Sequence, residues 1–417
     1  MMGVDFVELG DRIRQLRKEK RMTQEELAGK KLSKGMLSLI ENNKAKPSME
    51  SLAYIAEQLG VSVSELLQEE NRKKLKSLLE KAEKIYFKDR TNVEETLDKY
   101  KKVGELIQPV LNELTESYES ARLLELYSYS RFYSKQDRWE EPLKKAAEMY
   151  EALHVPTRRA AIGVFRSFAI FAKRDYEGAL NVLLNEKKSF KEKEVYLDPV
   201  TRLEFDYTEV CFLLAIGDVK KALAVLEEAV EFSRNNKIFY RIDDLFRLAV
   251  GYGILFHDSG MLAYYNDRLI HYGKFAEDPF YEAFTALALA EKKMFQDEDY
   301  QGALRLMEKY GKEFPAISEP HFTVAKGKAL YGLGKYEEAF SQLEKVTIPD
   351  NLHHPYDLSL LHIADTYKAL CQWKLGNVEH ALRYITLAKE NFSTLTPTKY
   401  TELTEETYRK IVDAIKN

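Results

Sequence analysis

The sequence predicts an all-α protein made mostly of repeated helical hairpins, and three observations carry that expectation. Leu, Ala, Glu and Lys dominate the 417 residues while only 19 Gly and 11 Pro occur, the balance of a helical chain. Charged residues at 31% leave enough polar surface for helices exposed on one side. One segment pattern then returns along the chain, clearest in AKGKALYGLGKYEEAFSQLEKV, KALCQWKLGNVEHALRYITLAKE, EVCFLLAIGDVKKALAVLEEAV and FAIFAKRDYEGALNVLLNE. A chain of this length exceeds what one ordinary core supports, so it needs several domains or a solenoid, and the repeats decide for the solenoid.

The first helix is expected over residues 5 to 20, where Phe6, Leu9, Ile13 and Leu16 fall on one face at spacings of three and four. Thr23 then caps a second helix, with Glu26 three residues on completing a capping box. Ser33 caps a third whose Leu37 and Ile40 point inward, Ser48 caps a fourth that stops at Gly60, and Ser62 opens a short fifth, VSELLQ. From Asp11 to Lys46 there are eleven Lys or Arg against five Asp or Glu, inside a chain of formal net charge −4. A compact basic patch in acidic surroundings suits a specific nucleic-acid binder rather than a coating protein.

This run of helices, with TQEELA followed by LSLIENNKAKPSMESLAYIAEQLGVSVSELL, resembles the lambda-repressor-like helix-turn-helix domain over residues 6 to 68. The resemblance implies a positioning helix from Thr23 to Gly29 and a recognition helix from Ser33 to Glu41 lying in the major groove. It places Lys34, Gly35, Met36 and Leu39 at base edges, with Ser33 at the start of the reading helix. It places Gln24, Asn42 and Lys44 at phosphates, and it pairs Arg17 with Glu41. The turn GKKLS is one residue shorter than that pattern and lacks its usual Gly, which bears on the register at which the helix enters. Gly35 and Met36 are poor hydrogen-bonding readers, so direct readout is expected to fall mainly on Lys34, with the rest left to shape and backbone contact.

Residues 69 to 81, EENRKKLKSLLEK, contain no Gly, Pro or Ser-rich break and are expected to form a helical, stiff linker. A poorly matching helical pair follows from Leu75 to Leu114, then the repeats, anchored at Trp139, Tyr176, Val219, Leu262, Tyr300, Tyr336 and Val378. The anchors are 37, 43, 43, 38, 36 and 42 residues apart, which suits a hairpin solenoid. Five anchors have Ala three residues later (Ala179, Ala222, Ala303, Ala339, Ala381), where two helices touch only if the side chain is small. Pro142 and Tyr265 stand there in the other two copies, which must pack differently or be displaced. The last segment, TKYTELTEETYRKIVDAIKN, reads as a capping helix.

The repeats resemble a tetratricopeptide array, which implies groove-facing positions fifteen, twelve, eight and five residues before each anchor. These offsets select Tyr127 and Arg131, then Glu204 and Tyr207, then Arg247 and His257. In the later copies they select Lys292, His321, Lys328 and Tyr331. Cations outnumber the single Glu204 in that set, so the groove is expected to favour an anion, with Arg131 and Arg247 as candidates for a ligand carboxylate. The other reading is that these residues pair with acids of neighbouring repeats such as Asp206, Asp243 and Asp244.

No apolar run approaches the length of a membrane span and the first twenty residues lack a signal-peptide core, so a cytoplasmic protein without membrane contact is expected. Cys211 and Cys371 sit apart in apolar helical runs and are expected to be buried free thiols. The eight His are scattered, and His353, His354 and His362 lack the spacing of a metal site. Neither a phosphate-binding loop nor a nucleophile elbow is present, and GYG at Gly251 suits close packing, so neither enzyme activity nor a cofactor is implied.

A DNA-reading head on such an array resembles the peptide-regulated quorum-sensing regulators of Gram-positive bacteria, the Rap, NprR, PlcR and PrgX group, and in layout most the neutral-protease activator branch. The resemblance implies a head at residues 1–68, a linker at 69–81, and a sensor and dimerisation domain at 82–417. Its implied partners are double-stranded DNA, a short signalling peptide and a second copy of the chain. An array that binds a protein such as a phosphorelay response regulator, or serves as a scaffold, is the other reading.

Overall fold

The computed structural model describes residues 9–88, 93–314 and 320–416, so Phe6 lies outside the described residues. Among the described residues there are twenty-one α-helices and one 3-10 segment. The chain separates into two compact units, Met1–Val155 and Pro156–Asn417.

The first unit opens with α1 (Leu9–Glu19), α2 (Gln24–Ala28), α3 (Lys34–Glu41), α4 (Met49–Gln58) and α5 (Val63–Tyr86). Thr23 and Glu26 form the reciprocal capping box of α2, and Ser33 and Ser48 accept from the third backbone N–H beyond them. Ile13, Leu27, Leu37, Ile40, Ile55 and Leu59 are fully buried between these helices. The turn after α2 does have its glycine: Gly29 takes φ +53°, and a Cβ there would stand 2.0 Å from the Tyr54 hydroxyl. The expected short fifth helix and the linker are a single helix of 24 residues, α5, because nothing between Val63 and Tyr86 breaks the chain. Next come α6 (Val93–Ile107), the 3-10 segment Gln108–Glu113, α7 (Tyr118–Tyr133) and α8 (Glu140–Ala152). Leu75, Leu79, Val103, Ile107, Leu123 and Leu126 form their core.

The second unit is a run of antiparallel pairs: α9 (Pro156–Phe171) with α10 (Tyr176–Glu192), α11 (Pro199–Ile216) with α12 (Val219–Asn236), and α13 (Ile242–Leu255) with α14 (Ser259–Ala276). It continues with α15 (Pro279–Phe295) and α16 (Tyr300–Glu313), α17 (His321–Gly332) and α18 (Tyr336–Leu343), α19 (Pro355–Lys374) and α20 (Val378–Phe392), and ends with α21 (Lys399–Lys416). Five second helices of a pair begin at the anchor residue itself, and the five alanines three residues on are all fully buried. Proline opens α9, α11, α15 and α19, where its missing N–H costs nothing.

The two copies without the alanine are displaced, as their sequences require. In the first, α8 starts one residue after Trp139, and Leu143 takes the buried position. In the fourth, α14 starts three residues before Leu262, behind the cap Asp258. Leu262 is then the close-contact residue, and its partner is glycine: a Cβ on Gly253 would stand 2.9 Å from the Leu262 backbone nitrogen.

The connection between α18 and α19 crosses back within this unit. Tyr176 donates to the His353 carbonyl at 3.0 Å, and His354 Nε2 meets the Cys211 carbonyl at 3.0 Å. Thr396, ahead of α21, donates likewise to the Ala215 carbonyl. The last repeats therefore close against the first pairs of the same unit.

Candidate functional site

In the first unit α3 is held from behind and bare in front. Arg17 grips Glu41 with two hydrogen bonds, at 2.6 and 3.0 Å, and donates to the Met22 carbonyl at 2.7 Å. Glu41 is wholly buried, and its carboxylate holds the Arg17 guanidinium more firmly protonated than usual. On the opposite face Ser33, Lys34, Gly35, Met36 and Leu39 are exposed, with Met36 and Leu39 each 45% accessible. Two uncovered apolar side chains beside a lysine suit a surface that meets thymine methyls and base edges. Lys34 reaches Glu25 at 2.9 Å, but both ends are exposed, so this pair contributes at most about 1 kcal/mol and is readily exchanged.

Two of the residues assigned to phosphate are engaged within the fold. Gln24 turns inward and donates to Glu41 at 2.7 Å, because the buried carboxylate has acceptor capacity beyond Arg17. Asn42 accepts from Arg14 and donates to the Ser38 carbonyl at 2.6 Å, closing the end of α3. Lys44 remains exposed. Arg14, on α1 beside Asn42, is a cation at this rim that the sequence reading did not select.

In the second unit a cavity of about 350 Å³ lies among α11, α13, α15, α17 and the start of α19. Tyr207, Arg247 and His321 of the expected groove residues line it. The fourth repeat explains one of the misses, His257, and the omission of Asp244. Counting from Ser259, the true start of α14, the four groove offsets become 259 − 15 = 244, 247, 251 and 254. Asp244, Arg247, Gly251 and Ile254 all line the cavity, whereas counting from Leu262 passed over Asp244 and chose His257. His257 instead stacks on Phe295 in the loop, ring centroids 4.6 Å apart. The cap aspartates Asp175, Asp218, Asp258 and Asp299, each bonded to a backbone N–H three residues on, were the signal that fixes this register.

The expected excess of positive charge is not there, because the cations are already paired. Arg241 forks onto Glu204 at 2.8 and 2.9 Å and reaches Asp244 at 2.7 Å, and Arg247 holds the other oxygen of Asp244. Lys328 is buried on Glu291 and on the Tyr400 hydroxyl, the latter at 2.6 Å. Outside the cavity, Tyr331 packs on Tyr336 and Tyr367, and Lys292 lies on α15 away from the lining. In the first unit Tyr127 is a core residue, and Arg131 closes its own turn by donating to the Asp137 carbonyl and, at 3.2 Å, to Tyr127. Neither Arg131 nor Arg247 is a free clamp for a ligand carboxylate.

Burial accounts for the remaining titrations here. It lowers the pKa of His321 against the opposing pull of Asp357 and Glu291, and it pushes the Cys211 thiol up to about 12. Cys211 and Cys371 are free thiols. Among the described residues no group of three or more His, Cys, Asp or Glu could hold a metal ion, and no helix is long and apolar enough to cross a membrane.

Residues 13–66 match the helix-turn-helix family. The immunity repressor protein of Bacillus phage phi105 is 32% identical over 116 residues, 27% of this chain and 81% of the repressor. Among solved structures, Bacillus thuringiensis PlcR in complex with the peptide PapR7 and DNA covers 74% of this chain and 96% of its own, at 12% identity and TM-score 0.34. ComR from S. thermophilus, in complex with DNA and its signalling peptide ComS, covers 68% of this chain and 99% of its own, at 22% identity and TM-score 0.32.

Proposed function

Because the chain belongs to the helix-turn-helix family, we propose that it is a sequence-specific DNA-binding regulator whose helical array senses a short peptide. The observation that carries the first half is α3, braced by Arg17 and Glu41 on one side and presenting Lys34, Gly35, Met36 and Leu39 on the other. Ser33 starts this helix, while Asn42, Lys44 and Arg14 form its rim. The second half is supported by the cavity, whose size falls in the range of small-ligand sites and seats a few residues of a peptide. A concave site of this size favours such a ligand over a folded protein partner such as a response regulator. Tyr207, Arg247 and His321 are the expected groove residues that would meet it.

The protein acts in the cytoplasm as a homodimer on paired half-sites, since one head covers too little DNA for tight, selective binding. Secreted-protease or sporulation-type genes are the targets that the layout shared with the neutral-protease activators suggests. Selection from a random double-stranded DNA library with the full chain tests the reading, followed by mass spectrometry of small molecules carried by the protein from its host. Enrichment of no sequence would remove the DNA half, and the absence of any bound peptide under inducing conditions would remove the sensor half.

A further inference from the structure

We infer that the cavity in the array receives its ligand through a positively charged nitrogen, an amine or a guanidinium, and that Asp357 is the group that takes it. The inference rests on the reading of the array as a peptide sensor and names the charge class of the ligand.

The charges around the cavity cancel in pairs, with one exception. Glu204 and Asp244 are matched by Arg241 and Arg247, and Glu291 is matched by Lys328. Asp357 lines the cavity half-buried, with neither an ion pair nor a hydrogen bond to any described residue. His321 and His354, the titratable cavity residues that feel Asp357, are both kept neutral near pH 7 by burial and offer no balancing charge. Asp357 stands in the first turn of α19, where the helix dipole favours a negative charge but supplies no counter-ion. A ligand cation would supply the missing partner.

A second observation is independent of charge. Tyr356 also lines the cavity and is only 3% exposed, yet its buried hydroxyl has no hydrogen-bond partner among the described residues. Nε of Arg247 is likewise buried without an acceptor, although its Nη2 holds Asp244. Such groups are costly to leave unmade in a fold that gains nothing from them. Together they describe what is missing: a cation for Asp357, and carbonyl oxygens for Arg247 Nε and the Tyr356 hydroxyl. A peptide amino terminus, or a Lys or Arg side chain with its flanking main chain, has both. Phe280, Phe284, Leu287 and Phe322 line the remainder and suit an apolar neighbour of that nitrogen.

The experiment uses the full chain and two pools of random heptapeptides, one with free and one with acetylated amino termini, captured at pH 7 and read by mass spectrometry. The parent is compared with Asp357→Asn, Asp357→Glu and the cavity-filling Gly251→Phe, each checked for an unaltered melting temperature. The expected result is retention by the parent over Gly251→Phe, with enrichment of Lys and Arg or dependence on the free terminus. That preference should fall about tenfold in Asp357→Asn, equivalent to about 1.4 kcal/mol, and be recovered in Asp357→Glu. Retained peptides that are acidic or indifferent to charge, or a preference unchanged in Asp357→Asn, would overturn the assignment while leaving the peptide sensor standing. No retention by the parent would overturn both.

Discussion

Arg17 meets Glu41 side-on, Nε to Oε1 at 2.6 Å and Nη2 to Oε2 at 3.0 Å, so that one buried carboxylate ties α1 to the end of α3. Removing the arginine leaves Glu41 buried with Gln24 at 2.7 Å and Arg14 only at 3.9 Å. Arg17→Met should therefore destabilise the head by about 3 kcal/mol, whereas Arg17→Met with Glu41→Leu should recover a large part of that loss. Hydrogen-exchange protection of α1 and α3 in the full-length protein reads both. Simple additivity of the two single changes would mean that the pair is not coupled.

Lys34 and Gln24 should behave differently, because one faces out and the other in. Lys34→Ala is expected to cost about 1 to 3 kcal/mol on a selected operator and to relax its specificity, leaving stability unchanged. Gln24→Ala removes a hydrogen bond to Glu41 and should lower head stability by about 1 kcal/mol, weakening DNA binding only through that loss. Operator titrations alongside thermal melts separate the two. A Gln24→Ala protein of parental stability that binds every DNA less well would return Gln24 to the phosphate backbone.

Much of this was legible in the sequence, and the failures have physical causes. The caps Thr23, Ser33 and Ser48 and the Arg17–Glu41 pair follow from local rules or a specific motif, and the structure has all of them. The alanine spacing located five helix starts to the residue, because a close helix contact tolerates little else. It failed in the fourth repeat because the small residue there is Gly253 on the preceding helix, facing a large Leu262. The crossing at His353 and His354 has no period to read: it joins residues 143 and 177 positions apart through side chains that meet main-chain carbonyls. Pairing of the cations with acids such as Asp244 was legible as the alternative to a ligand carboxylate, and the corrected register, which brings Asp244 into the groove beside Arg247, favours it.

Gly251 and Gly253, two residues apart on α13, should respond oppositely to alanine. At Gly253 the added Cβ would stand 2.8 Å from Leu262 Cβ and 2.9 Å from its backbone nitrogen, and backbone cannot step aside cheaply. Gly253→Ala should cost about 1 to 3 kcal/mol by forcing α13 and α14 apart. At Gly251 no atom lies within 4 Å, so Gly251→Ala gains helix propensity and should be neutral or stabilising by about 0.5 to 1 kcal/mol. Its methyl would enter the cavity, so any change in ligand affinity should come without loss of stability. Denaturant melts of the two variants decide the matter, and equal destabilisation would contradict the contact assigned to Gly253.

His354 should make the array sensitive to mild acid. Its Nδ1 accepts from the Tyr356 backbone N–H at 3.1 Å, capping α19, and its Nε2 faces the Cys211 carbonyl at 3.0 Å, so the ring is neutral with the proton on Nε2. Burial lowers its pKa, outweighing Asp357 and the Cys211 carbonyl, which both favour the charged form. The folded state therefore binds fewer protons than the unfolded one. The stability this contributes is complete above the ordinary histidine value of about 6.5 and is lost as the pH falls below it toward the lowered folded value. Burial shifts His257, His321, His353 and His362 in the same direction, so the effects add. Protonation of His354 has one further cost, because a proton on Nδ1 removes the only acceptor its side chain offers to the start of α19. His354→Asn keeps a capping oxygen and has no proton to gain. Melting temperatures at pH 7 and pH 5 should fall in the parent and fall less in His354→Asn, whereas equal losses would place the sensitivity in the other histidines.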